Sequence, residues 1–244
     1  MSQFANYHLT YRLEDDPNEP PPHTNTLLGV SPEIESLSFR RERNSHRGIS
    51  NLKRLRRLSV YSVNQDFLEE ISELPILERL FVARLSATNA DCLGRCRSLR
   101  HLVIKGATKI SSLSWFSALP QLDSLLLEHF KQVTDLSALC AQPSLKAFGF
   151  EGDYWTTQRA DTFRPIALLP QLEALFLRNC RPSSDGLAPL QHLKQLQYLR
   201  IAAFYPEADF LSLRRALPKL DCDWFQKIDR HGSIKAAINA PTDS

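Results

Sequence analysis

The apolar positions of the chain recur in a pattern that repeats about every 23 residues. Each copy has the spacing Leu-x-x-Leu-x-x-Leu-x-Val or a close variant of it, as in residues 52–60 and again in residues 74–82. Equivalent strand positions in successive copies are separated by 21, 22, 22, 23, 23, 27 and 24 residues. These positions are Leu37, Leu58, Leu80, Leu102, Leu125, Phe148, Leu175 and Leu199. A regular spacing of this length predicts an array of stacked structural repeats.

The end of each copy predicts a short β-strand. In Leu58-Ser59-Val60, for example, the two apolar side chains would point into a core and the residue between them would point away from it. Stacking then places these strands side by side in one parallel sheet, in which each repeat covers the open side of its neighbour. The segments that return to the next strand contain Asp135, Asp185 and Asp209 before apolar residues, which favours short helices with Asp at the N-cap.

This pattern resembles that of the leucine-rich repeat family, whose unit carries Leu-x-x-Leu-x-Leu at a period of about 20 to 29 residues. The resemblance covers residues 31–227. It implies an α/β repeat solenoid, a horseshoe of about eight or nine units with a concave parallel β-sheet and short helices or turns on the convex side. The return segments look most like those of bacterial internalin-type repeats.

The sequence departs from the family at one position of the repeat. Many leucine-rich repeats carry Asn or Cys three residues after the second leucine of the strand, and these side chains form a hydrogen-bonded ladder. In this chain Cys180 matches that requirement and the equivalent residues of the other copies do not. We therefore expect most of the turns to be packed by apolar side chains.

The segments on either side of the array have different patterns. Residues 7–13 alternate apolar and polar at period 2, which predicts a strand that either caps the array or covers part of its sheet. Residues 15–26 contain four prolines and predict a stiff linker, so residues 1–30 are interpreted as a capping strand and linker. Residues 228–244 lack a clear apolar period and are predicted to be a C-terminal tail.

Candidate binding residues follow from the expected register of the strands. The residue between the two core positions would lie on the concave face, and it is large and apolar in Phe81, Val103, Leu126 and Phe176. We expect these four side chains to be exposed anchors for a partner, because contiguous exposed apolar patches usually mark binding sites. The alternative is that a loop or the N-terminal strand covers this row. The charged and aromatic residues expected around the anchors are Arg57, Tyr61, Arg79, Arg178, Tyr198 and Arg200.

One repeat is longer than its neighbours. The extra residues fall in 153–161, a predicted loop that contains Tyr154 and Trp155. Insertions in repeat arrays collect on one face, which is often the binding face, so we include both aromatic residues in the candidate site. Aromatic side chains on a long loop can also fill a gap on the convex side, and the sequence leaves that alternative open.

Charge is distributed unevenly along the chain, although the formal net charge is only +3. Eight Lys and Arg residues between positions 40 and 57 are opposed by Glu42, whereas Asp123, Glu128, Glu151 and Asp153 make the middle repeats acidic. Such a surface suits a protein partner, with Arg and aromatic side chains as candidate hot spots. The alternative for the basic stretch is an ordinary solvated face.

Motifs of catalysis and cofactor binding are not found in the sequence. It contains no Gly-x-Ser-x-Gly and no Gly-x-x-x-x-Gly-Lys-Ser/Thr motif. Cys92 and Cys96 lie close to His101, but no second ligand pair with zinc spacing follows, and Cys96 occupies a core position of the repeat. We therefore predict a protein that is not an enzyme and has no cofactor, metal or small-molecule substrate.

Composition contributes an expected location. The five cysteines are an odd number and are widely spaced, which favours reduced thiols. No apolar run approaches the roughly 20 residues of a membrane span, and the N-terminus lacks the pattern of a secretory signal. The expected location is therefore cytoplasmic.

The function expected from these features is binding of a protein partner through the concave face. The sharpest hypothesis is an inhibitor or immunity protein that neutralises a bacterial toxin, and the excess of 21 Arg over 9 Lys is typical of a GC-rich bacterial genome. The alternative is an adaptor or a secreted effector that binds host or cellular proteins. Nucleic-acid or anionic-surface binding through the basic N-terminal repeats is less favoured.

Overall fold

A computed structural model describes residues 21–153 and 155–240 of the chain. Over these residues ten strands form one parallel sheet and two further strands form a second, smaller one. Neighbours in the main sheet follow the order β1-β2-β3-β4-β5-β6-β7-β9-β11-β12, and the small sheet pairs β8 with β10. The strands are His23–Thr24, Ser36–Arg40, Arg57–Val63, Arg79–Leu85, His101–Lys105, Ser124–Glu128, Ala147–Glu151, Gln158–Ala160, Ala174–Leu177, Cys180–Pro182, Tyr198–Ile201 and Asp221–Cys222, numbered β1 to β12. This architecture confirms the expected α/β repeat solenoid.

The hydrophobic core lies on one face of the main sheet. Each strand of the regular repeats contributes two side chains to it, and Leu58 and Val60 of β3 are fully buried. Larger rings from the return segments, such as Phe67, Phe116 and Phe130, fill the space opposite the strands and are also fully buried. The opposite face of the sheet, called the concave face below, carries the residues that alternate with these core positions.

The return segments are short helices and 3-10 turns. The α-helices are Gln65–Ile71, Arg164–Ala167, Glu207–Ala216, Asp223–His231 and Ile234–Asn239, numbered α1 to α5. The 3-10 segments are Ile49–Asn51, Asp91–Arg95, Ser114–Ala118, Ser137–Ala141 and Ala188–His192. The N-caps expected at Asp135, Asp185 and Asp209 are wrong, because the helical segments that follow have Leu136, Leu187 and Pro206 as their N-cap residues. The Asp209 carboxylate instead accepts a hydrogen bond from the backbone N–H of Leu187, at 3.3 Å.

Over the described residues, the chain passes through a residue in the left-handed region at the ends of β3, β4, β5, β6 and β9. These residues share one repeat position and are Ser62, Arg84, Gly106, His129 and Asn179, with φ between 48° and 73°. The residue after each of them points into the core and is buried, as Val63, Leu85, Ala107, Phe130 and Cys180. Apolar side chains therefore pack the turns after β3 to β6, as the sequence predicted.

The N-terminal flank differs from the expected linker in one respect. His23 and Thr24 form β1, which pairs in parallel with Ser38 and Phe39 of β2. Their backbone hydrogen bonds extend the main sheet by one strand beyond the first repeat. The strand predicted over residues 7–13 lies outside the described residues.

The C-terminal tail predicted over residues 228–244 is wrong for the part that the structure describes. Helix α4 continues to His231, and Gly232, at φ 79°, ends it before α5. Ile228 and Ile234 are buried against the end of the array. Arg214 of α3 donates two hydrogen bonds to Asp229, at 2.6 and 2.8 Å. These helices cover the last repeat, whose apolar side chains would otherwise face water.

Candidate interaction surface

Strand pairing places the predicted central residues in one row across the concave face. In β4 to β6, Phe81 pairs with Val103 and Val103 with Leu126. Across β9 and β11, Phe176 pairs with Arg200. The complete row is Ser38, Ser59, Phe81, Val103, Leu126, Gly149, Phe176 and Arg200. The register predicted from the repeats is thus confirmed.

The predicted exposure of the four apolar anchors is wrong. Phe81, Val103, Leu126 and Phe176 are 3%, 8%, 0% and 6% exposed. They form a second apolar cluster on the concave face, separate from the main core, in which Ala147 and Ala174 also take part. Strands about 5 Å apart bring side chains of one row into contact, and the small alanines leave space for larger neighbours. These four side chains are therefore not exposed anchors in this structure, and the exposed groups of the concave face lie among the residues around them.

Aromatic residues close both ends of this second cluster. The Tyr61 and Phe81 ring centroids are 5.8 Å apart, and those of Phe176 and Tyr198 are 5.4 Å apart. Both tyrosines are half-buried. Their remaining exposed area, and not that of the apolar row, is what the cluster offers to a partner.

The outer rows of the concave face carry the charged residues. At the amino ends of the strands Arg57 lies beside Arg79, and at the carboxyl ends Arg40 lies beside Tyr61. Arg79 and Arg40 are exposed, and the Arg40 guanidinium lies 5.5 Å from the centre of the Tyr61 ring. Arg200, in the central row, is exposed as well, whereas Arg57 is half-buried.

Ion pairs neutralise the carboxyl-end row over β5 to β9. Lys105 Nζ lies 3.0 Å from Glu128, and Arg178 binds both carboxylate oxygens of Glu151. The hydrogen bonds to Glu151 raise the pKa of Arg178, against the opposing effect of its desolvation. Arg178, which we predicted to contact a partner, is thus already engaged within the protein.

His101 carries no charge at neutral pH on this face. Burial, together with the nearby positive charge of Arg79, lowers its pKa to about 4. Its Nδ1 lies 2.8 Å from the Ser124 hydroxyl of the next strand. The neutral His101 ring therefore lies between the basic residue Arg79 and the uncharged residue Ser124 in the amino-end row.

The insertion predicted over residues 153–161 is a well-anchored loop followed by β8. Trp155 is 87% exposed, and Tyr154 lies outside the described residues. The Asp153 carboxylate accepts hydrogen bonds from the backbone N–H groups of Trp155 and Thr156, at 2.9 and 2.5 Å. Its other oxygen lies 2.7 Å from Nδ1 of His129. The loop thus presents Trp155 at the carboxyl edge of the main sheet and does not bury it on the convex side.

Gln158 is a structural residue that the repeat pattern did not predict. Its side chain is buried, donates to the carbonyl oxygens of Phe130 and Val133, and accepts from the Phe130 N–H. It thereby forms hydrogen bonds with three backbone groups of the turn after β6. In a repeat that carries Asn in this turn, the Asn side chain would be expected to bind these groups. No repeat spacing could have identified it, because it reaches this turn from the next repeat.

Metal ligands do not cluster in the part of the chain that the structure describes. Residues 21–153 and 155–240 contain no group of three or more His, Cys, Asp or Glu side chains that could hold a metal ion, and Cys96 is buried in the core. None of the helices between residues 21 and 240 is long and apolar enough to cross a membrane.

Comparison with known proteins gives matches at the level of structure. No protein-family model matches the sequence, and no curated protein matches it either. Internalin C2 from Listeria monocytogenes superimposes with a TM-score of 0.53 at 20% identity, over 71% of this chain and 72% of its own. A chain of the TLR13–ssRNA13 complex gives 0.55 at 20% identity, over 78% of this chain and 28% of its own.

A chain of the mouse RP105/MD-1 complex gives a TM-score of 0.52 at 21% identity, over 68% of this chain and 29% of its own. The chain thus spans less than a third of the length of the two receptor-complex chains and most of internalin C2. At these identities the likeness establishes the fold. With its parallel strands at a spacing of about 23 residues and its short convex segments, the chain has the leucine-rich repeat fold of the internalins.

Proposed function

We propose that the chain is a protein-binding module that covers its partner with the concave face and thereby inhibits it. The partner that we propose is a toxin, which makes the chain an immunity protein. The observation that carries the binding proposal is the composition of the concave face. Exposed Arg79 and Arg200 and half-buried Tyr61 and Tyr198 surround a firmly packed apolar cluster. Arg and Tyr on a rigid support are the residue types that dominate binding energy in protein interfaces.

The rigidity of this surface favours tight binding. Its backbone is hydrogen-bonded strand by strand, and its central side chains are locked in the second apolar cluster. Little conformational entropy is then lost when a partner docks. Trp155 extends the same surface at the carboxyl edge, where its loop is held by Asp153.

The burial of the central row decides which variants can test the proposal. Asp at Phe81 or Phe176 would place a charge inside an apolar cluster and would damage folding. Alanine at Tyr198 and Arg200 removes contact groups at the surface instead. A matched control is Arg97→Ala with Lys219→Ala, because both side chains are exposed on return segments.

The test is affinity capture from the cytosol of the source cell with tagged wild type, the Tyr198→Ala/Arg200→Ala variant and the control variant. We expect one dominant protein, which mass spectrometry identifies, with wild type and control, and its loss with the concave-face variant. The activity of that protein is then measured with the chain added at equal concentration. Loss of activity supports inhibition, and unchanged activity would assign the chain to the adaptor class. Equal capture by all three proteins, or capture by none, would refute binding through the concave face.

A further inference from the structure

The central row of the concave face is buried from β2 to β9. The four large side chains of the second apolar cluster are at most 8% exposed, and Gly149 beside them is buried as well. Ser38 and Ser59, which begin the row, are fully buried although their side chains are small. Arg200, on β11, is exposed. The row is thus shielded from solvent over β2 to β9 and open at β11.

Neighbouring side chains of the sheet do not account for the burial of Ser38. Ser36 lies on the same strand and Ser59 on the next one, and both are as small as Ser38 itself. Arg40 is exposed, and so is His23, whose Nδ1 lies 2.8 Å from the Ser38 hydroxyl. The Ser59 hydroxyl is buried and has no hydrogen-bond partner among the described residues, so solvent does not reach it. A further part of the chain therefore has to lie over these serines.

The chain that leads into β1 is long enough to cross this row. Pro21 is buried, and the Pro22 carbonyl accepts a hydrogen bond from the Ser38 N–H, so residues 1–20 begin beside β2. Residues 14–20 and residues 7–13 can each extend over about 23 Å. The distance across the sheet is about 14 Å from β1 to β4 and about 19 Å from β4 to β9. The first piece therefore reaches past the serines, and the second spans the apolar part of the row.

The pattern of residues 7–13 matches the apolar part of the row. These residues alternate apolar and polar, so one side of an extended segment carries the side chains of Tyr7, Leu9, Tyr11 and Leu13. That side complements the second apolar cluster, which runs from β4 to β9. The polar side would face the solvent.

Charge favours the same path for residues 14–20. These residues include four carboxylates, Glu14, Asp15, Asp16 and Glu19. At the amino ends of β3 and β4, Arg57 lies beside Arg79. Glu35 and Glu78 lie one residue before this row, and Glu78 pairs with Arg56 at 2.5 Å. Acidic residues that leave the sheet edge at Pro21 would therefore pass close to two arginines.

From the burial of the row and the length and pattern of the preceding chain, we infer that residues 1–20 lie over the concave face as an autoinhibitory strap, with residues 7–13 on the second apolar cluster. The strap occupies the surface on which the partner would dock, so the partner has to displace it. The autoinhibitory role rests on the proposed function, whereas the covering of the face does not depend on it. Arg200, at the open end of the row, is accessible before displacement.

The first experiment measures how fast N-ethylmaleimide modifies the thiol of Ser59→Cys in the 244-residue chain. Peptide mass spectrometry resolves this thiol from the native ones, which serve as references. Cys140 is exposed and reacts freely, whereas three thiols are buried in the core and stay unmodified while the protein is folded, those of Cys96, Cys180 and Cys222. We expect the Ser59→Cys thiol to react at least about tenfold more slowly than that of Cys140.

Two variants of the strap determine what protects this thiol. Leu9→Asp/Leu13→Asp places charges on the apolar side and should accelerate the modification at least about tenfold. His8→Asp/Thr10→Asp adds the same two charges on the polar side and should change the rate by less than about twofold. Leu9→Ser/Leu13→Ser replaces the first variant, under the same criteria, if the core thiols of that variant are modified.

An unchanged rate in the apolar-side variant, with the core thiols still protected, would show that the strands themselves bury Ser59, and it would overturn the inference. Equal acceleration in both strap variants would overturn the placement of the apolar side on the face. Rapid modification of Ser59→Cys with an unchanged strap would also refute the covering.

The capture experiment separates the strap from the proposed function. If the strap competes with the partner, Leu9→Asp/Leu13→Asp should capture at least about threefold more of it than wild type. A partner that is lost with Tyr198→Ala/Arg200→Ala but captured equally by wild type and Leu9→Asp/Leu13→Asp supports the proposed function and refutes the autoinhibitory role. Capture of no partner by any variant would refute the proposed function, and the thiol modification would still decide whether the strap covers the face.

Discussion

Arg178 donates from Nε and Nη2 to the two carboxylate oxygens of Glu151, at 2.9 and 2.8 Å, across the carboxyl ends of β7 and β9. The Glu151 side chain is 1% exposed and that of Arg178 41% exposed. The pair lies where the chain departs from the regular array to form β8. It joins two strands that are adjacent in the sheet but separated in sequence by the insertion.

Removing the arginine of this pair should destabilise the protein strongly. Arg178→Ala leaves the Glu151 carboxylate buried without its counter-ion, and we expect the free energy of unfolding to fall by about 3 kcal/mol. Urea denaturation followed by circular dichroism measures the change. Arg200→Ala, at an exposed position of the same face, should change it by less than about 0.5 kcal/mol. Similar losses in both variants would contradict a special role for the pair.

Replacing Gln158 by Leu should destabilise the turn after β6, because this one side chain binds its backbone. The change removes the hydrogen bonds that Gln158 makes to the N–H of Phe130 and the C=O of Val133, while the C=O of Phe130 keeps the bond from the Val133 N–H, so a loss of about 2–3 kcal/mol is expected. Hydrogen exchange at Phe130 should accelerate in the variant. Gln197→Leu, at an exposed position, is the control, and unchanged exchange at Phe130 would show that the turn is held by other contacts.

His101 should make the protein less stable in acid. Its folded-state pKa, about 4, lies below the ordinary histidine value of 6.5, so the unfolded chain binds the proton first as the pH falls. The stability that the neutral His101 imidazole contributes to the fold is fully present above about pH 6.5 and is lost between that pH and about 4. When the pH falls from 7.5 to 4.5, the free energy of unfolding of the wild type should therefore decrease by about 2 kcal/mol more than that of His101→Gln.

Urea denaturation of both proteins at the two pH values measures this difference. Carboxylates that titrate in the same range are common to both, so they cancel in the comparison. A His101→Gln variant with the same pH dependence as wild type would show that the imidazole is protonated in the folded state without cost.

Gly152 should not tolerate a side chain. A Cβ at this position would overlap the carbonyl oxygen of Thr156 and lie 2.5 Å from that of Asn179, and backbone atoms cannot easily move away. Gly152→Ala should cost about 2–4 kcal/mol and displace the Trp155 loop, which a shift in tryptophan fluorescence would report. Gly29→Ala, where no atom lies within 4 Å but φ is +78°, isolates the backbone cost of about 1 kcal/mol. Equal losses at both positions would contradict the predicted clash.

The sequence alone was sufficient to predict the repeated architecture and the register of its strands. Strand alternation is a local property, and a spacing of about 23 residues brings the same local pattern back once per repeat. For that reason the row from Ser38 to Arg200 follows from the order of the residues by itself. The same reasoning placed Arg57 and Arg79 beside this row on the concave face.

Tertiary structure decided which of those residues a partner can reach. Phe81 and Leu126 are buried in a cluster with side chains of other strands, which are more than 20 residues away in sequence. The ion pair of Glu151 with Arg178 joins the strands on either side of the insertion. The hydrogen bonds between Gln158 and the turn after β6 join one repeat to the next. Repetition along the chain determines where a residue lies in the array, whereas burial and ion pairing are determined by contacts between repeats, which vary with each pair of neighbours.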